Sequence, residues 1–239
     1  MRNFDTARYT MLILPLILII ATVMASKWAQ GRYAERMAMG HKAQAPENLT
    51  AEQIAQEFLH AHGVTDVQTV KHNGIVTNYY DPGRRRLYLH GDILSGKTLS
   101  CWALALHEAA HALQKGEDGD SFQWRRTCIR LTRYVPMLAV FGTAALMFFM
   151  KIPFRNSMMI FIAICVLIML MNLGTLAVEH NANARLRRWL EERLSSSPVA
   201  QERIEVLLAA IATRELGDLV QSPRYFFLSA LPGTSSARP

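Results

Sequence analysis

Cysteine is scarce in this chain: Cys101, Cys128 and Cys165 are its three, with no CxxC and no paired spacing. An odd count with one cysteine inside an apolar run excludes a disulfide framework, and a reducing compartment is the simpler reading. Charge is missing altogether from three stretches. No Asp, Glu, Lys or Arg occurs in 9–26, 134–150 or 156–178, runs of 18, 17 and 23 residues. They also lack histidine, which argues against a transporter, because nothing ionisable lines a path through them. Internal repeats and long low-complexity tracts are absent. No nucleic-acid module accompanies the formal net charge of +7, so no nucleic-acid partner is expected.

With 51% apolar and 19% charged residues, a disordered or fibrous chain is excluded. The mean hydropathy of +0.09 is high for a chain with 26 Lys+Arg and 19 Asp+Glu. Segregation explains it. Each uncharged run matches the roughly 17–25 residues that cross a bilayer as a helix. The expectation is a multi-pass membrane protein with transmembrane helices at 9–26, 134–150 and 156–178.

Lysine and arginine near the ends of these runs set the orientation. Arg2, Arg8, Lys151 and Arg155 lie on one side, and thirteen basic residues lie on the other, among them Lys27, Arg32, Arg36, Arg125, Arg133 and Arg193. The richer side, residues 27–133 and 179–239, is expected in the cytoplasm, with the N-terminus outside. Val23-Met24-Ala25 resembles a signal-peptide cleavage site, but the charges directly after it oppose export.

Between the runs, Thr50 and Gln53 have capping-box spacing ahead of a short amphipathic helix over 49–62 that stops at Gly63. Residues 64–90 change period and read as three short strands with turns at His72-Asn73-Gly74 and Asp81-Pro82-Gly83. Arg84, Arg85 and Arg86 read as a solvated strand edge. A buried helix is expected over about 98–115, then a polar loop at 116–123 and a basic helical lead at 124–133. The third run continues as helix through 179–194. A last helix over about 200–220 should stop at Pro223, and the tail 232–239 should fray.

His107-Glu108-Ala109-Ala110-His111 carries the chemistry. Positions four apart share one helix face, so both imidazoles can meet one zinc ion, and Glu108 can reach a water on that ion and take its proton. Two histidines and a glutamate in a buried helix are costly without such a purpose. A catalytic zinc takes three protein ligands, and the third is expected from Val178-Glu179-His180-Asn181-Ala182-Asn183, at the cytoplasmic end of the third run. Helix neighbours point about 100° apart, so either Glu179 or His180 faces the metal, not both. Asn183, four residues after Glu179, could hydrogen-bond a ligand. His41, His60, His62, His72 and His90 have no partner at ligand spacing and read as surface or packing residues.

The order of parts resembles the bacterial membrane-embedded zinc metallopeptidases of the YugP-like family (neutral zinc metallopeptidase type 2). The resemblance covers about residues 10–212, through LTAEQIAQEFL, TNYYDP at 77–82, LSGKTLS before HEAAHALQ, a helical hairpin and VEHNANARLRR. It implies that His107, His111 and Glu179 bind one Zn2+ and that Glu108 is the general base. A more distant similarity is to the HtpX-like membrane peptidases, which have an acidic residue where this chain has Asn183. The chain departs from the YugP-like pattern at Tyr79, where the family commonly has His, at Ala110, where it has Gly, and in a C-terminal segment, TRELGDLV, too charged to span. Tyr79 and Arg185 are the candidates for holding an oxyanion.

The expected fold is mainly α (α+β), with three transmembrane helices and a zincin-like helical domain carrying a small β-sheet. The expected function is zinc-dependent hydrolysis of peptide bonds at a bacterial cytoplasmic membrane, with a peptide or protein substrate and the lipid bilayer as partners. The contrasting reading is a membrane scaffold or adaptor with a structural or vestigial metal site. Glu108 separates the two, since a structural zinc site has no use for a carboxylate beside its first ligand.

Overall fold

Capping chemistry starts the short helices. The computed structural model describes residues 2–73, 78–114 and 117–229, with the side chains of 2–12, 14, 15, 117, 118 and 229 outside the description. Thr50 caps α2 (Ala51–Ala61): its hydroxyl accepts from the Gln53 amide at 3.3 Å, while the Gln53 side chain accepts from the Thr50 amide at 2.8 Å. The reciprocal pair satisfies two end donors. Gly63 follows at φ 70°, where a side chain would be strained. Thr98 caps α4 (Leu99–Ala110), accepting from the Cys101 amide at 3.4 Å. Every residue of α4 is buried, against α1 (Arg2–Lys42), α2, α6 (Phe154–Arg193) and α7 (Pro198–Ala212). The α-helix ends earlier than the expected 115: His111–Leu113 tighten into a 3-10 turn, closed by the Gln114 amide on the His111 carbonyl at 3.2 Å. Lys115 and Gly116 lie outside the described residues.

The strands pair differently from two consecutive hairpins. The order is β1 (Gln68–His72), β3 (Arg86–His90), β2 (Tyr79–Asp81), with β1 parallel and β2 antiparallel to the central β3. Register runs Gln68 to Arg86 and His72 to His90 on one side, Tyr79 to Tyr88 and Asp81 to Arg86 on the other. The middle position goes to the strand whose Leu87 and Leu89 are fully buried. The first expected turn, at Gly74, falls outside the described residues. The second is present: Asp81 Oδ1 accepts from the Gly83 amide at 2.9 Å and the Arg84 amide at 3.3 Å. Of the three arginines read as a solvated edge, Arg84 and Arg86 are exposed and Arg85 is half-buried. At φ 52° it donates from Nε to Asp66 and from Nη1 to the Tyr80 hydroxyl, each at 2.8 Å. The single turn α3 (Gly91–Leu94) leads from β3 towards α4.

The long helices frame this domain. α5 (Glu117–Phe149) begins where the polar loop 116–123 is expected, because Phe122 is buried there between Tyr80 and His111, ring centroids 6.2 and 4.8 Å away. α6 returns alongside α5. In the seam between them Asn172 Nδ2 donates to Thr132 Oγ1 at 2.7 Å, and Thr132 donates to the Cys128 carbonyl at 2.8 Å. The expected last helix is two pieces: α7, then a 3-10 turn (Arg214–Gly217) and α8 (Asp218–Ser229). Pro223 sits inside α8 rather than stopping it. Its missing N–H costs a helix bond, but α8 is held on α5 from outside. Arg133 pairs with Asp218 at 2.9 Å, and the Ser222 hydroxyl donates to the Arg133 carbonyl at 2.9 Å.

Among the described residues two helices are long and apolar enough to cross a membrane, Gly119–Phe149 and Phe154–Arg193, against the three spans expected. The first expected run, 9–26, falls partly on side chains outside the description. On the hairpin Leu138, Phe141, Phe148, Leu167, Leu170 and Leu173 face outward, as in a helix pair surrounded by an apolar medium.

Candidate metal centre

Three elements bring the cluster together. His107 and Glu108 end α4, His111 opens the following 3-10 turn, and Glu179 lies on α6 just past its apolar run. One nitrogen from each histidine and one Glu179 oxygen lie within 4.8 Å of one another, and all three residues are buried. His107 Nε2 is 2.8 Å and His111 Nε2 3.9 Å from Glu179 Oε2, and the two rings stand at 85°. His180, about 100° further round α6, is exposed.

Amide side chains set the tautomers. Asn183 Nδ2 donates to the Leu208 carbonyl at 2.9 Å, which turns its Oδ1 to His107 Nδ1, also at 2.9 Å. Gln114 Nε2 donates to the Val178 carbonyl at 2.9 Å and to Asn181 Oδ1 at 3.1 Å, which turns its Oε1 to His111 Nδ1 at 2.7 Å. With each Nδ1–H given to an amide oxygen, Nε2 is the nitrogen left for a metal.

The donor set fits a divalent cation. His111 Nε2 is buried without a hydrogen-bond partner, and so are both Glu108 oxygens. Around them lie three buried carboxylates, Glu108, Glu179 and Glu215, and two buried guanidiniums, Arg125 and Arg214. Two imidazole nitrogens and a carboxylate make a donor set that suits zinc.

A family comparison agrees. The family described as "Putative neutral zinc metallopeptidase" matches residues 15–222. The chain belongs to this family. A curated relative, "Putative membrane protease YugP" of Bacillus subtilis (strain 168), is 28% identical over 175 residues, 72% of this chain and 76% of the relative. No solved structure matches the chain. Both the His107–His111 segment and Glu179 fall within the part that the zinc metallopeptidase family covers.

The charges around the cluster bias its protonation. Burial pushes Glu179 up, but the Arg125 guanidinium and His107 outweigh it and hold the carboxyl below the usual range. Burial, with Arg125 adding to it, holds His111 well below the ordinary histidine value, so the ring is neutral and its Nε2 lone pair is available. Burial lowers His107 too, yet the Glu179 hydrogen bond and charge raise it overall. Glu215 is pushed up to about 7, first by burial.

Of the other candidates, Asn183 lies against His107. Tyr79 lies in the sheet, stacked on Tyr88 at 4.8 Å. Arg185 Nε donates at 2.9 Å to Asn181 Oδ1, the oxygen that also receives Gln114. Arg125, Arg214, Glu215 and Gln114 are not site candidates in the sequence reading. Arg125 counts there only as a topology charge, and Arg214 and Glu215 belong to the segment too charged to span. Gln114 had a readable signal, three residues after His111 on the same turn.

Proposed function

We propose that this chain is a membrane-embedded zinc endopeptidase in which His107, His111 and Glu179 hold one zinc ion and Glu108 is the general base. The observation that carries it is the convergence of His107, His111 and Glu179 within 4.8 Å beside a buried Glu108 carboxylate with no hydrogen-bond partner. When bound, zinc supplies Lewis acidity, making a water acidic enough to attack at neutral pH. Glu108 takes that water's proton and passes it to the leaving amine nitrogen. Arg125 holds the Glu179 oxygen turned away from the histidines, and Asn183 and Gln114 keep both imidazoles in the ligating tautomer. A peptide can be held extended by adding to the sheet at β1, an outer strand with Gln68 and Lys71 exposed.

The reading includes three spans at 9–26, 134–150 and 156–178 in a bacterial cytoplasmic membrane. The N-terminus lies outside, and the zincin-like part, 27–133 with 179–239, lies in the cytoplasm. The scaffold alternative leaves the Glu108 carboxylate, which has no hydrogen-bond partner, without a purpose. Glu108→Gln decides between them: purified protein should keep its zinc and lose hydrolysis of casein by about three orders of magnitude or more. Wild-type cleavage rates in that variant would refute the mechanism.

A further inference from the structure

The two buried arginines beside the cluster are engaged to different degrees. Arg125 is hydrogen-bonded to two carboxylates: Nε donates to Glu179, Nη2 donates to Glu215 at 2.6 Å, and its face lies over Phe122. Arg214 is not. Its Nη2 stands 3.7 Å from Glu108 Oε1 and 3.9 Å from Glu215 Oε1, both beyond hydrogen-bond distance, and its buried Nε has no partner. Glu108, opposite it, has neither oxygen satisfied. A buried charged group without its hydrogen bonds is costly, and here two of opposite sign face each other without closing. Arg214 Nε is thus a buried donor held in reserve beside the Glu108 carboxylate.

Arg214 is also held in place. Its guanidinium lies 6.0 Å from the centre of the Tyr33 ring on α1, and it opens the 3-10 turn that ends at Gly217. A Cβ on Gly217 would meet the Gln30 backbone at 3.0 Å, so α1 and this turn are in close contact. A fork of N–H donors fixed beside the base, at little cost in reorganisation, suits an oxygen that gains charge during reaction.

We propose that Arg214 is a catalytic residue, the group that receives the carbonyl oxygen of the cleaved peptide bond as it becomes an oxyanion. The inference rests on the peptidase reading above. Water adds to the carbonyl carbon, a C–O bond forms, and the carbonyl π electrons move onto the oxygen facing Arg214. Glu108 accepts the water's proton and delivers it to the amide nitrogen. The C–N bond then breaks to give an acid and an amine. Of the sequence candidates, Tyr79 is stacked in the sheet and Arg185 is directed at Asn181.

The test uses full-length, zinc-loaded protein in detergent, with casein as substrate. Wild type, Arg214→Gln and Arg214→Lys are compared for zinc content, thermal midpoint, kcat and KM. Two probes are titrated as well: a phosphinic peptide, which carries a tetrahedral anionic oxygen, and a small thiol that reaches the metal through sulfur alone. Arg214→Gln should keep zinc, lose kcat by about 10²–10³-fold with KM within about threefold, and bind the phosphinic peptide at least about 100-fold more weakly. Thiol affinity should not change, and Arg214→Lys should recover part of kcat. A zinc-loaded Arg214→Gln with wild-type kcat overturns the proposal. If Arg214→Gln loses zinc or fold, Arg214→Lys decides: full activity with zinc overturns the role, and a selective loss of kcat and phosphinate binding supports it. A wild type that neither cleaves casein nor binds either probe counts against the peptidase reading itself.

Discussion

Asn183 and Gln114 illustrate how little freedom the centre leaves its histidines. Each amide is fixed by donating to a backbone carbonyl, so each presents an oxygen to one Nδ1. Asn183→Ala should weaken zinc binding by about 10- to 100-fold without removing a ligand, as measured by competition with a chromophoric chelator. Glu179→Ala should weaken zinc by at least about tenfold and abolish hydrolysis, whereas His180→Phe should keep most of both. The reverse pattern would make His180 the third ligand. The wider shell depends on side chains far apart in the chain. Glu215 is held to Arg125 across 90 positions, and Arg125 to Glu179 across 54.

Elements meet at a few close contacts, and these are where substitutions should tell. Gly217→Val adds a side chain where Gln30 N and Cβ already lie 3.0 Å from the added Cβ, so α1 must shift or the turn must open. A loss of about 1–3 kcal/mol is expected from overpacking, read as a lower thermal midpoint in detergent. An unchanged midpoint would mean the contact is looser than its geometry. The sheet carries a pH dependence of its own. His72 is buried with neither ring nitrogen hydrogen-bonded, and burial first, then the neighbouring His90, holds it below the ordinary histidine value. The unfolded chain therefore takes the proton more readily, so this contribution to stability is full above about pH 6.5 and is lost as pH falls below it. His72→Gln should flatten the thermal midpoint between pH 7.5 and about 5.5, and an unaltered slope would rule the residue out as its source.

The whole molecule is organised around a hairpin, α5 and α6, that is apolar outside and hydrogen-bonded within, with the charged cluster at one end. In the proposed topology, the thirteen-to-four distribution of basic residues places that end in the cytoplasm. A cysteine placed at exposed Ser121 should resist a membrane-impermeant reagent in intact cells, whereas one at exposed Asn156 should react. Cys101, Cys128 and Cys165 are buried, which keeps the background low. Labelling at Ser121 without lysis would reverse the orientation. The same packing bears on the cleavage-like Val23-Met24-Ala25. Ser26 and Ala29 directly after it are fully buried, and Ser26 Oγ accepts from the Val220 amide at 3.3 Å.

What the sequence alone determined was local. The capping box of α2, the HExxH spacing at the end of α4, the long hairpin and the place of Glu179 just after its second apolar run follow from spacings of three to four residues or from uncharged runs. Physical chemistry reads such patterns without knowing what lies opposite. The tertiary structure decided everything that depends on what lies opposite. Phe122 makes helix of an expected loop because Tyr80 and His111 wait for it. Pro223 stays inside α8 because Arg133 and Ser222 hold that helix to α5. β3 takes the middle of the sheet because its leucines face the core. Arg125, Arg214 and Glu215 look like ordinary surface charges in one dimension. Only folding brings them into a buried interior, where each charge needs a partner, and there Arg214 faces Glu108 with its Nε unfilled.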